Sequence, residues 1–203
     1  MLIWINGAFG VGKTQTAHEL HRRLAASHVA DPELLGFAIH KMLPPGERGD
    51  FQDRPQWRTG IVATLTQAER ASDCPVIVPM TLVNLDYFDE IVGGLIAAGI
   101  DVRHYALTAP TEVIHNRLKA RIGYAVGRLA GVRETWAMRQ TDHCVAALRS
   151  ERFATHVPTE RRSIDDVVEH IAADAELPLA HPRLHRARYQ LRRAAVAVRH
   201  IRL

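Results

Sequence analysis

A glycine-rich segment near the start of the chain limits the folds open to it more than any other feature. Residues 7–14 read GAFGVGKT and fit the pattern GxxxxGK[ST] at every fixed position. An apolar run, LIWI, comes shortly before the segment, and a stretch with helical periodicity, QTAHELHRRLAAS, follows it. An apolar strand, a glycine-rich loop and a helix in this order are typical of a phosphate-binding loop.

The residue types of this loop predict the chemistry of its ligand. Glycine lets the loop curl so that successive backbone N–H groups point inward at phosphate oxygens. We expect Lys13 to reach the outer phosphates, the Thr14 hydroxyl to coordinate Mg²⁺, and the helix that opens there to add the positive end of its dipole. The predicted nucleoside triphosphate site comprises Gly7, Ala8, Phe9, Gly10, Val11, Gly12, Lys13 and Thr14.

Short apolar runs alternate with helical patterns along the rest of the chain. This alternation, with strands that are apolar on both faces, predicts an α/β fold whose parallel sheet is covered by helices on both sides. Strands are predicted at residues 2–6, 28–31, 75–79, 102–107 and 154–157. Helices are predicted at residues 14–26, 33–42, 55–71, 85–98, 111–122, 134–150 and 164–173.

The length and the cysteines indicate a single-core protein of the cytoplasm. With 203 residues, 47% of them hydrophobic, the chain can bury one good core. Cys74 and Cys144 lie far apart and form no CxxC pair, which favours reduced thiols over a disulfide or a zinc site. The first predicted strand starts at Leu2, so we expect no cleavable signal peptide.

The positive charge is concentrated at the end of the chain. Residues 178–203 contain seven arginines and no acid, so the formal net charge of +4 leaves residues 1–177 at about −3. The body therefore carries no basic surface for DNA or RNA, and we expect no nucleic-acid partner. Apolar residues at three-to-four spacing between the arginines predict a basic amphipathic helix at residues 178–203. The loss of acids there predicts a boundary near Pro178 between this helix and the body, residues 1–177. This helix can contact an anionic membrane, dock on the body or pair with a second subunit.

Four segments, in order, resemble the tunicamycin-resistance ATP-binding proteins: NGAFGVGKTQTAHEL, ADPELLGF, DFQDRPQWR and PVIVPMTLV. The loop and the segments after it also look like the wider group of small P-loop kinases, which includes shikimate, gluconate and nucleoside monophosphate kinases and chloramphenicol phosphotransferase. The resemblance implies a five-stranded parallel sheet with a lid, as in the nucleoside monophosphate kinases. It further implies ATP with Mg²⁺, a nucleoside-like antibiotic as a ligand, and peripheral membrane contact.

Asp31 is the candidate catalytic base. It ends the second predicted strand, and the carboxyl ends of parallel strands face the ligand crevice of an open α/β sheet. Its carboxylate can accept the proton of an attacking hydroxyl or hold a Mg²⁺-bound water there. An Asp before Pro-Glu is also a good helix cap, and the two roles are compatible. Glu33 can share the catalytic role, or act only on the helix dipole.

The segment GDFQDRPQWR, residues 49–58, mixes amides, acids, arginines and aromatics. In the resembled kinases this region roofs the acceptor pocket. Gln52 and Asp53 are expected to bind hydroxyl groups, and Arg58 to grip an anionic or polar group. Trp57 either stacks on a ligand ring or is simply buried beneath a solvated loop.

Thr81 follows the third predicted strand, where many P-loop enzymes place a metal-binding aspartate. The run PVIVPM reaches Thr81 without an acid, which disfavours GTPase switches and motor ATPases because both need a tightly held metal. Thr81 is a candidate acceptor contact or a cap of the next loop.

Arginines predict a closing lid at about residues 117–135. Arg117 and Arg121 are spaced to lie on one helix face, and in the resembled kinases such a pair reaches the adenine and the phosphates. Arg128 and Arg133 follow in a glycine-punctuated stretch. Mobile arginines can stabilise the charge of a transferring phosphoryl group and exclude water. The alternative is a solvated, arginine-rich helix face.

The twelve histidines show no metal-ligand spacing such as HExxH, and we expect them to be surface or packing residues. The predicted metal ligands are Thr14, from the phosphate-loop motif, and Asp31, at the end of its strand. His156 and Thr159, near the end of the fifth predicted strand, are expected to border the adenine, as that loop does in the resembled kinases.

Two functions are open at this stage. An ATP-dependent kinase would phosphorylate a hydroxyl of tunicamycin or a related nucleoside-like molecule, with Asp31, Lys13 and Arg121 as catalytic residues. A sequestering protein would bind the drug in the same pocket and use ATP only to set the closed conformation.

Overall fold

Five parallel strands form one sheet in the part of the chain that the structure describes. The computed structural model covers residues 1–120 and 136–199, apart from the side chains of residues 136, 137, 186, 193 and 197–199. The strands are β1 (Leu2–Gly7), β2 (His28–Val29), β3 (Val76–Pro79), β4 (Val102–Thr108) and β5 (His156–Pro158). Their order across the sheet is β2-β3-β1-β4-β5. The predicted parallel sheet is confirmed.

Strand β1 lies at the centre of this sheet. Its first residue pairs with Val76 of β3 on one side and with Val102 of β4 on the other. All six residues of β1 are buried, because helices cover both faces of a parallel sheet. The run LIWI is therefore apolar without alternation, and it delivers the glycine-rich loop to the carboxyl edge of the sheet.

The helices mostly begin and end within a few residues of their predicted positions. They are α1 (Lys13–Arg23), α2 (Glu33–Met42), α3 (Pro55–Arg70), α4 (Leu85–Phe88), α5 (Gly94–Ala97), α6 (Thr111–Lys119), α7 (Trp136–Ala147), α8 (Ile164–Asp174) and α9 (Arg186–Arg199). A π-helical turn (Asp89–Gly93) joins α4 to α5. Helix α1 packs against α8 and α9, α3 packs against the π turn and α5, and α6 packs against α7.

Strand β2 is shorter than the sequence predicts. It ends at Val29 rather than at Asp31, although the N–H of Ala30 still donates to the carbonyl of Ile77. Pro32 has no N–H to continue the ladder, and the Asp31 carboxylate accepts a hydrogen bond from the Glu33 N–H at 3.0 Å. The chain therefore turns from the sheet into α2 at Asp31.

The segment after α8 returns to the end of α1. Leu179 forms an antiparallel bridge with Leu24, and the N–H groups of Ala180 and His181 both donate to the carbonyl of Arg23. The basic tail therefore docks on the body, one of the three arrangements that the sequence left open. The predicted boundary near residue 178 is crossed by these backbone hydrogen bonds.

Ion pairs reinforce this docking. Arg183 contacts Asp166 at 2.7 Å and Glu169 at 2.5 Å, and Arg23 contacts Glu169 at 2.8 Å. Hydrogen bonds from Arg183 and Arg23 lower the pKa of Glu169 to about 2. Part of the arginine excess of the tail is thus neutralised by acids of α8. Among the described helices, none has the length and apolarity needed to cross a membrane.

Candidate active site

The phosphate-loop candidate takes a backbone course that only glycine adopts easily. Gly7, Gly10 and Gly12 have φ angles of +146°, +89° and +119°, in the region that L side chains avoid. A Cβ on Gly7 would lie 2.6 Å from Cγ1 of Val11, and one on Gly10 would lie 2.8 Å from Cγ of Leu118. The curl of the loop is therefore fixed by backbone and packing together. Gly10 lies outside the fixed positions of the motif, yet it has the same requirement.

Lys13 and Thr14 lie where the loop enters α1. The Lys13 ammonium donates to the carbonyl oxygens of Gly7 at 2.9 Å and Ala8 at 3.1 Å, and it lies 5.4 Å from the centre of the Phe9 ring. The first turn of α1 contains no acid, so nothing in that turn opposes the positive end of the helix dipole. A cationic amine, a helix N-terminus and a curled loop together form a site for a polyphosphate.

Asn6, which the sequence analysis missed, holds the last part of β1 in place. Its buried Oδ1 accepts hydrogen bonds from the N–H of Gly7 at 2.8 Å and of Leu82 at 3.0 Å. Its Nδ2 donates to the carbonyl of Leu82 at 2.7 Å. One amide side chain therefore ties the start of the phosphate loop to the segment that follows β3.

Thr81 joins the same two segments from the other side. Its buried hydroxyl donates to the carbonyl of Gly7 at 2.9 Å, and its own carbonyl accepts a hydrogen bond from Nε2 of Gln52 at 3.1 Å. Thr81 thus links the segment of residues 49–58, predicted to cover the acceptor pocket, to the phosphate loop. The hydroxyl of Thr81 is engaged in this link, and its contact with an acceptor stays a prediction.

Arg58 lies in a connected set of polar side chains beside the loop. Its Nε lies 2.5 Å from Oε2 of Glu90, and its Nη1 donates to the carbonyl of Gln52 at 2.6 Å. Its guanidinium carbon lies 4.2 Å from the centre of the Tyr87 ring, and the Tyr87 hydroxyl donates to Asp53 at 2.9 Å. The hydrogen bond to Asp53 raises the pKa of Tyr87. We call this set the Arg58 cluster: Gln52, Asp53, Arg58, Thr81, Tyr87 and Glu90.

The structure thus brings together four residues predicted to bind the acceptor: Gln52, Asp53, Arg58 and Thr81. It adds Tyr87 and Glu90, which no local pattern marked. Trp57 is fully buried, and its Nε1 donates to the carbonyl of Pro32 at 3.1 Å. Of the two roles considered for it, burial beneath a loop is therefore the one observed.

Asp31 lies in the turn between β2 and α2, half-buried, with its carboxylate on the Glu33 N–H. This contact is the helix-capping role. The catalytic role of Asp31 stays a prediction, as does that of Glu33.

Arg117 connects the phosphate loop to the segment after β5. Its guanidinium donates to the carbonyl of Val11 at 3.1 Å, to the Thr159 hydroxyl at 3.0 Å and to the Thr159 carbonyl at 2.7 Å. Thr159 is itself bonded to the carbonyl of Thr108 at the end of β4. Arg117, the first arginine of the predicted lid, therefore connects the phosphate loop at Val11 to Thr159 and, through Thr159, to the end of β4. Arg121, Arg128 and Arg133 lie outside the described residues, as does most of the predicted lid at 117–135.

A cavity of about 420 Å³ opens beside the loop at the carboxyl ends of β4 and β5. Ala8 lines it from the loop, Ile114 from α6, and His156 and Glu160 from around β5. His156 is bonded through Nε2 to the carbonyl of Leu148 at 2.7 Å. Most of the lining is apolar, and the polar side chains are Thr108 at the end of β4, Arg149 after α7, and His156 and Glu160.

The donor set fits a magnesium ion shared with a nucleotide. Among the described residues, no group of three or more His, Cys, Asp or Glu side chains could hold a metal. Mg²⁺ bound by this kind of loop needs few protein ligands, since phosphate oxygens and waters complete its octahedron. The Thr14 hydroxyl at the start of α1 suits that role, and the Asp31 carboxylate stays the second predicted ligand.

Comparison with known proteins places this site in a family. A family model described as an AAA domain matches residues 2–144. The structure of the tunicamycin resistance protein of Deinococcus radiodurans matches with a TM-score of 0.75 and 37% identity, over 89% of this chain and 98% of that chain. No curated protein sequence matches the chain.

Two kinase structures share the fold at lower identity. A gluconokinase from Sinorhizobium meliloti matches with a TM-score of 0.59 and 18% identity, over 84% of this chain and 89% of that chain. The APS kinase of Mycobacterium tuberculosis matches with a TM-score of 0.57 and 19% identity, over 86% of this chain and 96% of that chain. The chain therefore belongs to the AAA domain family and to the family of the Deinococcus tunicamycin resistance protein, and it shares the fold of the two kinases.

Proposed function

We propose that this protein is an ATP-dependent kinase that phosphorylates a hydroxyl group of tunicamycin or a related nucleoside-like molecule. The single observation that carries the proposal is the phosphate loop, which has the features of a polyphosphate site. Thr81 connects it by hydrogen bonds to the polar segment of residues 49–58. The kinase-like fold and the Deinococcus relative support the reaction type and the ligand class.

The proposed reaction transfers the γ-phosphoryl group of ATP to the acceptor hydroxyl. The acceptor oxygen attacks the γ-phosphorus and forms the new O–P bond, while the bond between that phosphorus and the β–γ bridging oxygen breaks. The acceptor proton passes to the Asp31 carboxylate, and ADP leaves with the bridging oxygen. Mg²⁺, when bound with the nucleotide at Thr14, would offset the negative charge of the phosphates, with Asp31 contacting it through a bound water.

The remaining machinery holds the nucleotide in position. Lys13 and the loop amides would bind the outer phosphates, and Arg117 fixes the loop through the carbonyl of Val11. The predicted roles of Arg121, Arg128 and Arg133 follow from the family resemblance: they would bring positive charge over the transferring group and exclude water.

The test is mass spectrometry of tunicamycin incubated with the protein and Mg-ATP. We expect a mass gain of one phosphoryl group, about 80 Da, and equimolar ADP. An unchanged drug mass, under conditions where nucleotide binding is measured independently, would contradict the proposal. Sequestration predicts instead that protection scales with protein concentration and stops at stoichiometric drug. Clearance of excess drug by sub-stoichiometric protein would rule that alternative out.

We further propose that the tail makes peripheral contact with anionic membranes. Leu191 is 73% exposed and Arg188 is also exposed on α9, which supports a contact surface on the solvent side of this helix. Vesicle co-sedimentation tests this: binding should require anionic lipid and weaken with added salt. Salt-independent binding by a protein that lacks residues 186–203 would contradict it.

A further inference from the structure

Glu90 neutralises the buried arginine of the Arg58 cluster. Arg58 has a side chain only 9% exposed, whereas the Glu90 side chain is 49% exposed. Nε of Arg58 donates to the Glu90 carboxylate, and Nη1 donates to the carbonyl of Gln52. The Tyr87 ring covers one face of the guanidinium. The positive charge is therefore held inside the protein, while its negative partner is the one that faces solvent.

The segments that form this cluster are acidic as a whole. Residues 50–58 and 81–90 together contain five acids and two arginines, and one of these acids, Asp89, is paired with Arg152 from another segment. The second arginine, Arg54, donates to the carbonyl of Glu47. An anion that approaches these two segments therefore meets mainly carboxylates, and like charges brought together in a partly buried site oppose binding.

The groups that the cluster does present are suited to hydroxyls. Asp53 is exposed and offers carboxylate oxygens, and Tyr87 offers a phenol oxygen already oriented by Asp53. The Gln52 side chain donates to the carbonyl of Thr81, and the Thr81 hydroxyl donates to the carbonyl of Gly7 in the phosphate loop. A neutral, hydroxyl-rich molecule can bond to these groups beside the loop without the cost of unpaired charge.

We propose that the Arg58–Glu90 pair sets the charge specificity of the acceptor site: neutral hydroxyl-bearing acceptors bind, and acceptors with a carboxylate or phosphate group are excluded. This inference rests on the proposed function and names the substrate class for it. An unpaired arginine would bind a carboxylate through two parallel hydrogen bonds. Glu90 takes that place, so it is the specificity-determining residue and Arg58 becomes a positioning residue.

The test compares wild-type protein with Glu90→Gln. Glutamine keeps the size of the side chain and an oxygen that can accept from Arg58, but removes the negative charge. The control is Asp89→Asn, the preceding residue of the same π turn, which makes the same change in net charge. Asp89 is 55% exposed and pairs with Arg152 instead.

Binding is measured by calorimetry for two matched pairs of probes, glucose with glucuronate and uridine with its 5′-carboxylate. Saturating Mg²⁺ and a non-hydrolysable ATP analogue keep the phosphate loop filled, so a probe cannot bind there. We expect the wild-type protein to bind each neutral probe more tightly than its carboxylate. Glu90→Gln should bind the carboxylates about tenfold or more tightly than wild type, as expected for one charge-assisted contact.

Three outcomes would overturn the inference. The wild-type protein could bind a carboxylate probe as tightly as its neutral partner, Glu90→Gln could show no gain for either carboxylate, or Asp89→Asn could show the same gain. Unchanged thermal unfolding of both variants shows that the fold is retained. The double variant Arg58→Gln/Glu90→Gln should lose the gain, because the arginine that supplies it is gone.

Phosphoryl transfer to the same probes is measured separately. If the probes bind with the expected charge preference and the Glu90→Gln gain but tunicamycin and the probes all stay unmodified, the proposed kinase function fails while the charge specificity holds. If transfer occurs to carboxylate probes as readily as to neutral ones, the charge specificity fails while the kinase function holds.

Discussion

Nδ2 of Asn6 lies 3.2 Å from Nε2 of His104, and this contact fixes the protonation of the histidine. The Asn6 amide is oriented by Leu82, which accepts from Nδ2 and donates to Oδ1. Nε2 of His104 must therefore accept the hydrogen bond, and the ring proton is on Nδ1, 3.2 Å from the carbonyl of Ala154. The ring also packs edge-on against Phe88 at 4.9 Å.

Protonation of His104 should destabilise the fold as the pH falls below about 6.5. Burial lowers the pKa of His104 from 6.5 to about 4, because the charged ring would lose its contact with water, and His156 acts in the same direction. Between pH 6.5 and 4 the unfolded chain binds a proton that the folded chain does not. The free energy of unfolding should therefore decrease as the pH falls through this window, by about 3 kcal/mol from this group.

Urea unfolding at a series of pH values, compared with His104→Gln, isolates this effect because other titrating groups cancel. The stability difference between the two proteins should shift by about that amount between pH 7 and 4. The exposed His143, changed to glutamine, is the matched control and should keep the wild-type profile. A difference between wild type and His104→Gln that does not vary with pH would contradict the assignment.

Asp31→Asn should separate chemistry from nucleotide binding. Asparagine keeps the oxygen that caps the Glu33 N–H, so the turn should survive, but it cannot take a proton. Turnover should fall by roughly 100-fold or more, while nucleotide affinity stays within a few-fold. Lys13→Ala should instead weaken both together. Near wild-type turnover in Asp31→Asn would make Asp31 only a helix cap, and Glu33 or Asp53 the next candidates.

Gly10→Ala should destabilise the protein although no fixed motif position changes. Its φ of +89° is strained for alanine, and the new Cβ would lie 2.8 Å from Leu118. We expect a loss of about 1–3 kcal/mol in the free energy of unfolding. Gly46→Ala is the control, since no heavy atom lies within 4 Å of a Cβ there, and it should cost less than about 0.5 kcal/mol. Equal effects in chemical denaturation would contradict the packing argument.

Arg23→Gln should be costly, because it removes the partner of a buried acid. Arg23 and Asp165 have side chains only 7% and 12% exposed, and burial raises the pKa of Asp165. Loss of the pair should lower the free energy of unfolding by about 2–4 kcal/mol. Arg103→Gln breaks a surface pair with Asp101, both about half exposed, and should change it by less than about 1 kcal/mol. Thermal denaturation of both variants distinguishes the two cases.

The fold was predictable from the sequence where the signal is local. Apolar runs marked all five strands, and the periodicity of α2 gave its bounds, Glu33–Met42. The end of β2 was not predictable from apolar character alone, because Val29 and Ala30 are apolar while the turn depends on Pro32 and a side-chain cap. Apolar residues show which segments are buried, and backbone chemistry decides where they stop.

The site divides in the same way. The phosphate loop is contiguous, so its fixed residues identify it without any structure. Asn6 and Leu82 are 76 positions apart, and Arg58 and Glu90 are 32 apart. No spacing rule joins such residues, and Arg58 alone therefore pointed to an anionic or polar acceptor. Its charge partner could be identified only from the packing of α3 against the π turn.

The docking of residues 179–181 has a consequence for how the protein is made. The carbonyl of Arg23, in the last turn of α1, has its hydrogen bonds from Ala180 and His181, which are synthesised more than 150 positions later. The far end of the helix that carries the phosphate loop is therefore completed only after residues 180 and 181 have been synthesised. A nascent chain stalled after β5 would hold the whole loop on a frayed helix, and nucleotide added at that stage would meet a site without its final support.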